Sequence, residues 1–174
     1  MMVQRIISFL FLLFCINVNA QQYLAKNGVI TFFSDAPMED IAAENKKVSA
    51  VYDASTNELV FQLNITDFIF NDPLMQEHFN ENYLESDVYP KSTFVGKVVT
   101  IEDGKATVEG SLAMHGKTNK IKVNGSLLYN KKSVVISAEF TVKLEDYNID
   151  IPKIVMYKIA EEIEIKVNIK LNKI

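Results

Sequence analysis

The sequence contains one cysteine, Cys15, one arginine, Arg5, and no tryptophan. Both of these single residues lie within the first twenty positions, so residues 21–174 carry neither a thiol nor a guanidinium group. Thiol catalysis and disulfide exchange are therefore excluded for that part of the chain. Glycine is also scarce, and the six glycines are dispersed, so the sequence has no glycine-rich phosphate-binding loop.

Clustered positive charge is lacking as well. The 18 basic residues are outnumbered by 22 acidic ones, and the formal net charge is −4. Binding to nucleic acid depends on basic surfaces that displace counterions, so nucleic acid is excluded as a partner. A hydrophobic content of 48% argues against disorder, and 174 residues are typical of one domain with its own core.

The first twenty residues have the three-part pattern of a secretory signal. Arg5 precedes an apolar run over residues 6–16, and Val18-Asn19-Ala20 supplies small residues at a cleavage site. The run is too short to span a bilayer, which requires about 20 apolar residues. A lipoprotein signal at Cys15 is rejected because the preceding residue, Phe14, is large. We expect residues 1–20 to be a signal peptide, cleaved near Ala20, and residues 21–174 to be one periplasmic or secreted domain.

Alternation of apolar and polar residues dominates the chain after Gly28. The clearest runs cover residues 61–66, 106–114, 121–129, 134–142 and 163–171, and weaker ones lie near 28–34, 46–53 and 92–101. Strands with one buried face and one solvent-exposed face are typical of antiparallel sheet. Turn-forming clusters separate the runs at residues 53–57, 102–104, 115–116 and 130–132. The sequence predicts an all-β fold, an eight-stranded antiparallel β-barrel.

One or two short helices interrupt the strands. Asp72-Pro73 can cap and begin a helix, after which Met75, Phe79 and Tyr83 recur at helical spacing. A second helical stretch is predicted from Pro152 to Ala160.

Small residues occur among large ones on the apolar strand faces, at positions 106, 110, 125 and 138. Two interpretations are open. The small residues leave volume for an apolar ligand, or they only follow the taper of the barrel.

No catalytic constellation stands out in the sequence. The two histidines, His78 on the predicted helix and His115 at a turn, lack any metal-binding spacing. The favoured interpretation places His78 beside Phe79 and lets His115 face solvent. The sequence therefore predicts no catalytic residue, no metal site and no cofactor. A hydrolase or isomerase that uses His78 or His115 remains the least favoured alternative.

Two motifs go beyond periodicity. Leu74–Phe79 followed by Ser86–Phe94 resembles the YceI-like family of exported lipocalin-like barrels, in which a histidine-bearing helix precedes an acidic residue and Y-P-x-x-x-F. Gly110–Thr118 is similar to the G-x-L-x-x-H-G-x-T hairpin of that family, and a weaker likeness continues through Asp146–Ile149. Tyr89-Pro90 also has a physical role, because proline favours extended backbone at the residue before it.

The resemblance implies a non-enzymatic carrier or sequestrant of a polyisoprenoid, a quinone-like lipid or a similar amphiphile, held in an elongated apolar cavity. A departure at Asn80, where many relatives carry a basic residue, leaves the head-group contact and the identity and length of the lipid open. A packed interaction barrel without ligand is the other alternative. No stable membrane span is expected, and the oligomeric state, dimer included, stays open. The expected cavity wall consists of Phe61, Leu63, Ile65, Phe68, Phe70, Phe79, Phe94, Gly110, Leu112, Met114, Ala138 and Phe140.

Overall fold

A computed structural model describes residues 21–35, 40–150 and 160–174. Nine strands occur in these ranges: β1 (Gln22–Ser34), β2 (Ile41–Asp53), β3 (Glu58–Asn64), β4 (Ile69–Phe70), β5 (Lys91–Glu102), β6 (Lys105–Met114), β7 (Lys117–Asn130), β8 (Ser133–Lys143) and β9 (Glu162–Lys173). Each of the eight predicted runs overlaps one of them, although β1 and β2 begin earlier than predicted and the short β4 was not predicted. The predicted signal peptide at 1–20 and nearly all of the second helical stretch, residues 152–159, lie outside the described residues.

Eight of these strands close into a barrel. Every pairing is antiparallel, the strand order is β1-β9-β8-β7-β6-β5-β3-β2, and β2 pairs with β1 to complete the circle. The two-residue β4 adds to β2 through the pair Ala43 and Phe70. The eight-stranded antiparallel barrel expected from the sequence is thus confirmed.

Short turns between the long strands explain why neighbours in sequence are neighbours in space. The β5–β6 turn has Asp103 at φ 50° and Gly104 at φ 79°, and the β6–β7 turn has His115 at φ 49° and Gly116 at φ 72°. Two consecutive residues with positive φ give a turn whose twist matches that of the strands it joins. The sequence clusters at 102–104 and 115–116 form these hairpins as predicted.

The chain leaves the barrel between β3 and β5. The alternation through Thr66 predicts a longer strand, but β3 ends at Asn64 and a 3₁₀ turn covers Ile65–Asp67. The Asn64 side chain donates a hydrogen bond to Asp67 at 2.9 Å, which closes this turn. The predicted helix is present as α1 (Pro73–His78), and the Asp72 carboxylate accepts a hydrogen bond from the backbone N–H of Leu74 at 2.9 Å.

The helix continues into a π-helical turn over Phe79–Tyr83. Together with α1 it covers one end of the barrel, which we call the helical end. The opposite end, the tyrosine end, is filled by Tyr23, Tyr52 and Tyr129. The Tyr52 hydroxyl lies 2.8 Å from that of Tyr129, and burial, the largest cause, raises the pKa of Tyr52 above its usual range. The barrel is therefore packed at the tyrosine end.

Candidate functional site

An apolar cavity of about 210 Å³ occupies the half of the barrel nearer the helical end. All eight barrel strands contribute inward side chains to its wall, and Met75, Phe79 and Tyr83 cover it from the helical segment. An engineered apolar cavity of about 150 Å³ is known to bind benzene, so this space is sufficient for part of a hydrocarbon ligand. The barrel is not packed solid.

The structure places eleven of the twelve expected wall residues on this cavity. They come from β3, β5, β6, β8 and the segment between β3 and β5: Phe61, Leu63, Ile65, Phe68, Phe70, Phe79, Phe94, Leu112, Met114, Ala138 and Phe140. Their contact with a ligand remains a proposal. The geometry brings them together because alternate residues of neighbouring strands face the same side of a sheet.

Gly110 is the twelfth, and it is not among the lining residues. It pairs directly with Gly96, and the ring of Phe94 lies over both positions. A Cβ atom at Gly110 would lie 2.5 Å from Cζ of Phe94 and 2.5 Å from the carbonyl oxygen of Val95. The two glycines thus make room for an aromatic ring that itself lines the cavity.

The other small residues border open volume. Ala138 lines the main cavity, and together with Ala106 and Gly125 it also borders a separate void of about 20 Å³ closer to the tyrosine end. These three positions agree with the interpretation that small residues leave volume inside the barrel.

A cluster of four phenylalanine rings forms the helical end of the cavity. The ring of Phe79 lies 4.9 Å from that of Phe70, 5.5 Å from that of Phe32 and 5.7 Å from that of Phe68, measured between centroids. These distances are in the range at which aromatic pairs attract one another beyond simple burial. The π-helical turn brings Phe79 into this cluster, so the helical segment and the barrel share one apolar core.

Sequence reasoning missed the wall contributed by β1 and β9. Ile30, Phe32, Ile163, Ile165 and Val167 line the cavity, although none was named as a wall residue. The signal was present, because these residues continue the same alternation that defined the strands. Leu59 was also missed, since β3 begins three residues before the run recognised in the sequence.

Polar groups are almost absent from the wall. Ser34 and Ser92 are buried, and both hydroxyls already bond to backbone: Ser34 Oγ accepts from the Ala160 N–H at 2.8 Å, and Ser92 Oγ donates to the Ala113 carbonyl at 3.0 Å. Among the described lining residues none is charged. A buried ionised group without a partner is strongly disfavoured, so the cavity suits hydrocarbon and not a charged head group.

Neither histidine lines the cavity. His78 is exposed on α1. The interpretation that His115 faces solvent is wrong, because its side chain is only 10% exposed. Its Nδ1 lies 2.9 Å from the Tyr147 carbonyl oxygen, and its Nε2 lies 2.9 Å from a carboxylate oxygen of Glu85. His115 thus ties the β6–β7 hairpin to two other segments at the helical end.

Asn80 has a local role. Its side-chain N–H donates to the carbonyl oxygen of Gln76 at 2.9 Å, and it is not a lining residue. Within the part of the chain that the structure describes, no His, Asp and Glu side chains cluster in a way that would hold a metal ion. No helix in that part is long and apolar enough to cross a membrane.

The sequence matches the family model of the YceI-like domain over residues 25–171. No curated protein matches the sequence. The family expectation drawn from the two motifs is thereby confirmed, and the match extends from β1 to β9.

Solved structures with the same fold include three bacterial proteins. BcnA of Burkholderia cenocepacia has a TM-score of 0.73 at 18% identity, with 83% of this chain and 95% of that chain covered. A polyisoprenoid-binding domain from Saccharophagus degradans, implicated in plant cell wall breakdown, has a TM-score of 0.74 at 11% identity and covers 90% of this chain and 100% of its own. A Campylobacter jejuni YceI protein has a TM-score of 0.62 at 19% identity, with coverage of 74% and 82%.

Proposed function

The chain belongs to the YceI-like family, and on that premise we propose that it is an exported, non-enzymatic binding protein. It holds the hydrocarbon chain of a polyisoprenoid or a similar amphiphilic lipid inside the barrel. The observation that carries this proposal is the apolar cavity of about 210 Å³, whose described wall includes no charged residue. A solved domain of the same fold is described as polyisoprenoid-binding, which supports the ligand class.

Burial of the tail supplies the driving force for binding. Each methylene that leaves water contributes about 0.8 kcal/mol, so several must be buried before the gain exceeds the entropic cost of association. The two buried hydroxyls of the wall, Ser34 and Ser92, already bond to backbone, and a polar head would not find a charged partner there. The tail therefore lies inside the barrel and the head at the helical end, because the tyrosine end is packed.

The eleven lining residues named above are the proposed ligand contacts. Phe79 is central among them, because it joins the phenylalanine cluster and comes from a short helical segment rather than from a barrel strand. The placement of His78 and His115 away from the cavity supports binding rather than a histidine-dependent reaction. The volume of the cavity supports a ligand rather than a packed interaction barrel.

A displacement titration tests the proposal. Residues 21–174 are purified, stripped of lipid and loaded with the apolar fluorophore 1-N-phenylnaphthylamine, and farnesol and glycerol are then added in separate titrations. We expect farnesol to displace the fluorophore in a saturable manner and glycerol to have no effect. Failure of the stripped, folded protein to bind the fluorophore or farnesol would contradict a lipid-binding function.

Export is tested separately. Expression of the full chain in a bacterial host, followed by intact-mass analysis of the exported fraction, is expected to give a protein that begins at Gln21. A product that keeps residues 1–20 and stays in the cytoplasm would contradict the exported assignment.

A further inference from the structure

The cavity ends partway along the barrel, above a floor that is one side chain thick. The same five residues border both the cavity and the smaller void of about 20 Å³ beneath it: Leu59, Val108, Val123, Ile136 and Ala138. Below that void the tyrosine end is closed by Tyr52 and Tyr129, whose hydroxyls are 2.8 Å apart. A chain that enters from the helical end therefore meets this floor before it meets the tyrosines.

Four of the five floor residues come from one side of the barrel. Val108 and Val123 are direct partners in the β6–β7 pairing, and Ile136 and Ala138 follow on the adjacent β8. Leu59 alone comes from β3, which lies four strands away from β8 in the closed circle of eight. It lies on the wall opposite β8 and is only 2% exposed. Without its side chain the floor would be open on that wall.

The neighbours of Leu59 place it at the inner end of the cavity wall that β3 contributes. Its partner on β5 is Gly96, whose missing side chain makes room for the ring of Phe94, itself a wall residue. Along β3 the next inward residues are Phe61 and Leu63, both on the cavity wall and both nearer the helical end. Leu59 is thus the last residue of β3 that an entering hydrocarbon tail contacts.

We propose that Leu59 sets the length of hydrocarbon chain that the cavity accepts; this inference rests on the lipid-binding function proposed above. Each methylene buried in the cavity raises affinity about fourfold. Once the tail reaches Leu59, further carbons add nothing, because they remain outside the cavity. Removal of the Leu59 side chain joins the cavity to the void below and lengthens the path.

The experiment compares a series of prenols on the lipid-stripped protein, residues 21–174. Geraniol, farnesol, geranylgeraniol and longer all-trans prenols each displace 1-N-phenylnaphthylamine, and affinity is plotted against the number of isoprene units. For the wild-type protein we expect affinity to rise and then level off. For Leu59→Ala we expect the rise to continue for one further unit, with a gain of at least about tenfold for the first prenol beyond the wild-type limit.

Leu63→Ala is the matched control. It makes the same change on the same face of the same strand, and Leu63 lines the cavity but does not border the void beneath the floor. It should change affinity across the whole series and leave the limiting length where it is. Ala138→Leu is the opposite variant, which extends a floor residue into the cavity and should lower the limiting length even if Leu59→Ala fails to fold.

The outcomes separate this inference from the function on which it rests. A wild-type protein that binds the series, together with a folded Leu59→Ala protein whose limiting length is unchanged, would overturn the role of Leu59 and leave the lipid-binding function standing. If Leu59→Ala does not fold, an unchanged limiting length in Ala138→Leu would overturn the floor to which Leu59 belongs. An equal shift in Leu63→Ala would also overturn it. Absence of binding by the wild-type protein to any prenol would overturn both.

Discussion

Filling the cavity from its own wall is expected to abolish lipid binding while leaving the barrel folded. Ala138 lines the cavity from β8, and Ala138→Phe adds a phenyl ring there. A cavity of about 150 Å³ holds benzene, so a space of about 210 Å³ takes the ring without displacing its walls. The six ring carbons occupy volume otherwise open to the ligand. At about 0.8 kcal/mol for each displaced carbon, the loss is about 5 kcal/mol, or more than three orders of magnitude in Kd.

The assay is displacement of 1-N-phenylnaphthylamine by farnesol, with thermal unfolding measured on the same samples. Glu139→Phe is the matched control, since it places the same ring on the exposed, outward side of the same strand. The control should bind as the wild type does. Undiminished farnesol affinity in a folded Ala138→Phe protein would refute the argument that the ligand occupies this cavity.

Three further predictions concern stability. Gly110→Ala should destabilise the barrel by about 1–3 kcal/mol in urea unfolding, because the added Cβ would meet the ring of Phe94 and the carbonyl oxygen of Val95. An unchanged unfolding midpoint would contradict that close approach. Burial raises the pKa of Tyr52 and keeps its hydroxyl neutral in the folded protein, whereas in the unfolded chain it ionises above about pH 10. The free energy of unfolding should therefore keep this contribution below about pH 10 and lose it as the pH rises further. Tyr52→Phe should flatten that alkaline slope in unfolding experiments, and an identical slope would contradict the assignment. His115→Ala removes hydrogen bonds to Glu85 and to a backbone carbonyl, and should cost about 1–2 kcal/mol of unfolding free energy, whereas a loss near zero would show that this contact is not structural.

The barrel itself was predictable because alternation survives in nearly every strand. In β9 the apolar residues 163, 165, 167, 169 and 171 face inward, as their spacing indicates, and β8 follows the same rule. The turns were equally readable, since Asp103-Gly104 and His115-Gly116 adopt the positive φ that such pairs tolerate. The strands and the turns both depend on residues that are close together in sequence, so both could be predicted from a single sequence.

The depth of the cavity was not predictable, because it depends on contacts across the barrel. Leu59 forms the floor together with residues of β6, β7 and β8, which are distant from it in sequence. The alternation within each strand does not reveal which residues of distant strands face one another. Gly110 shows the same limit: its alternation marks it as inward, but the ring of Phe94 covers it. His115 also contacts Glu85 and Tyr147, which are 30 and 32 residues away from it in sequence, and a turn motif does not predict such contacts.

Native mass spectrometry of the mature protein purified from its own host, followed by organic extraction, shows whether the barrel carries a lipid. We expect a discrete mass adduct that extracts as a lipid with a polyprenyl or quinone-like hydrocarbon chain, and that is absent from the Ala138→Phe protein. A bare protein mass, with no uptake of farnesol or longer prenols added to the same sample, would contradict the claim that this barrel is a lipid-binding protein.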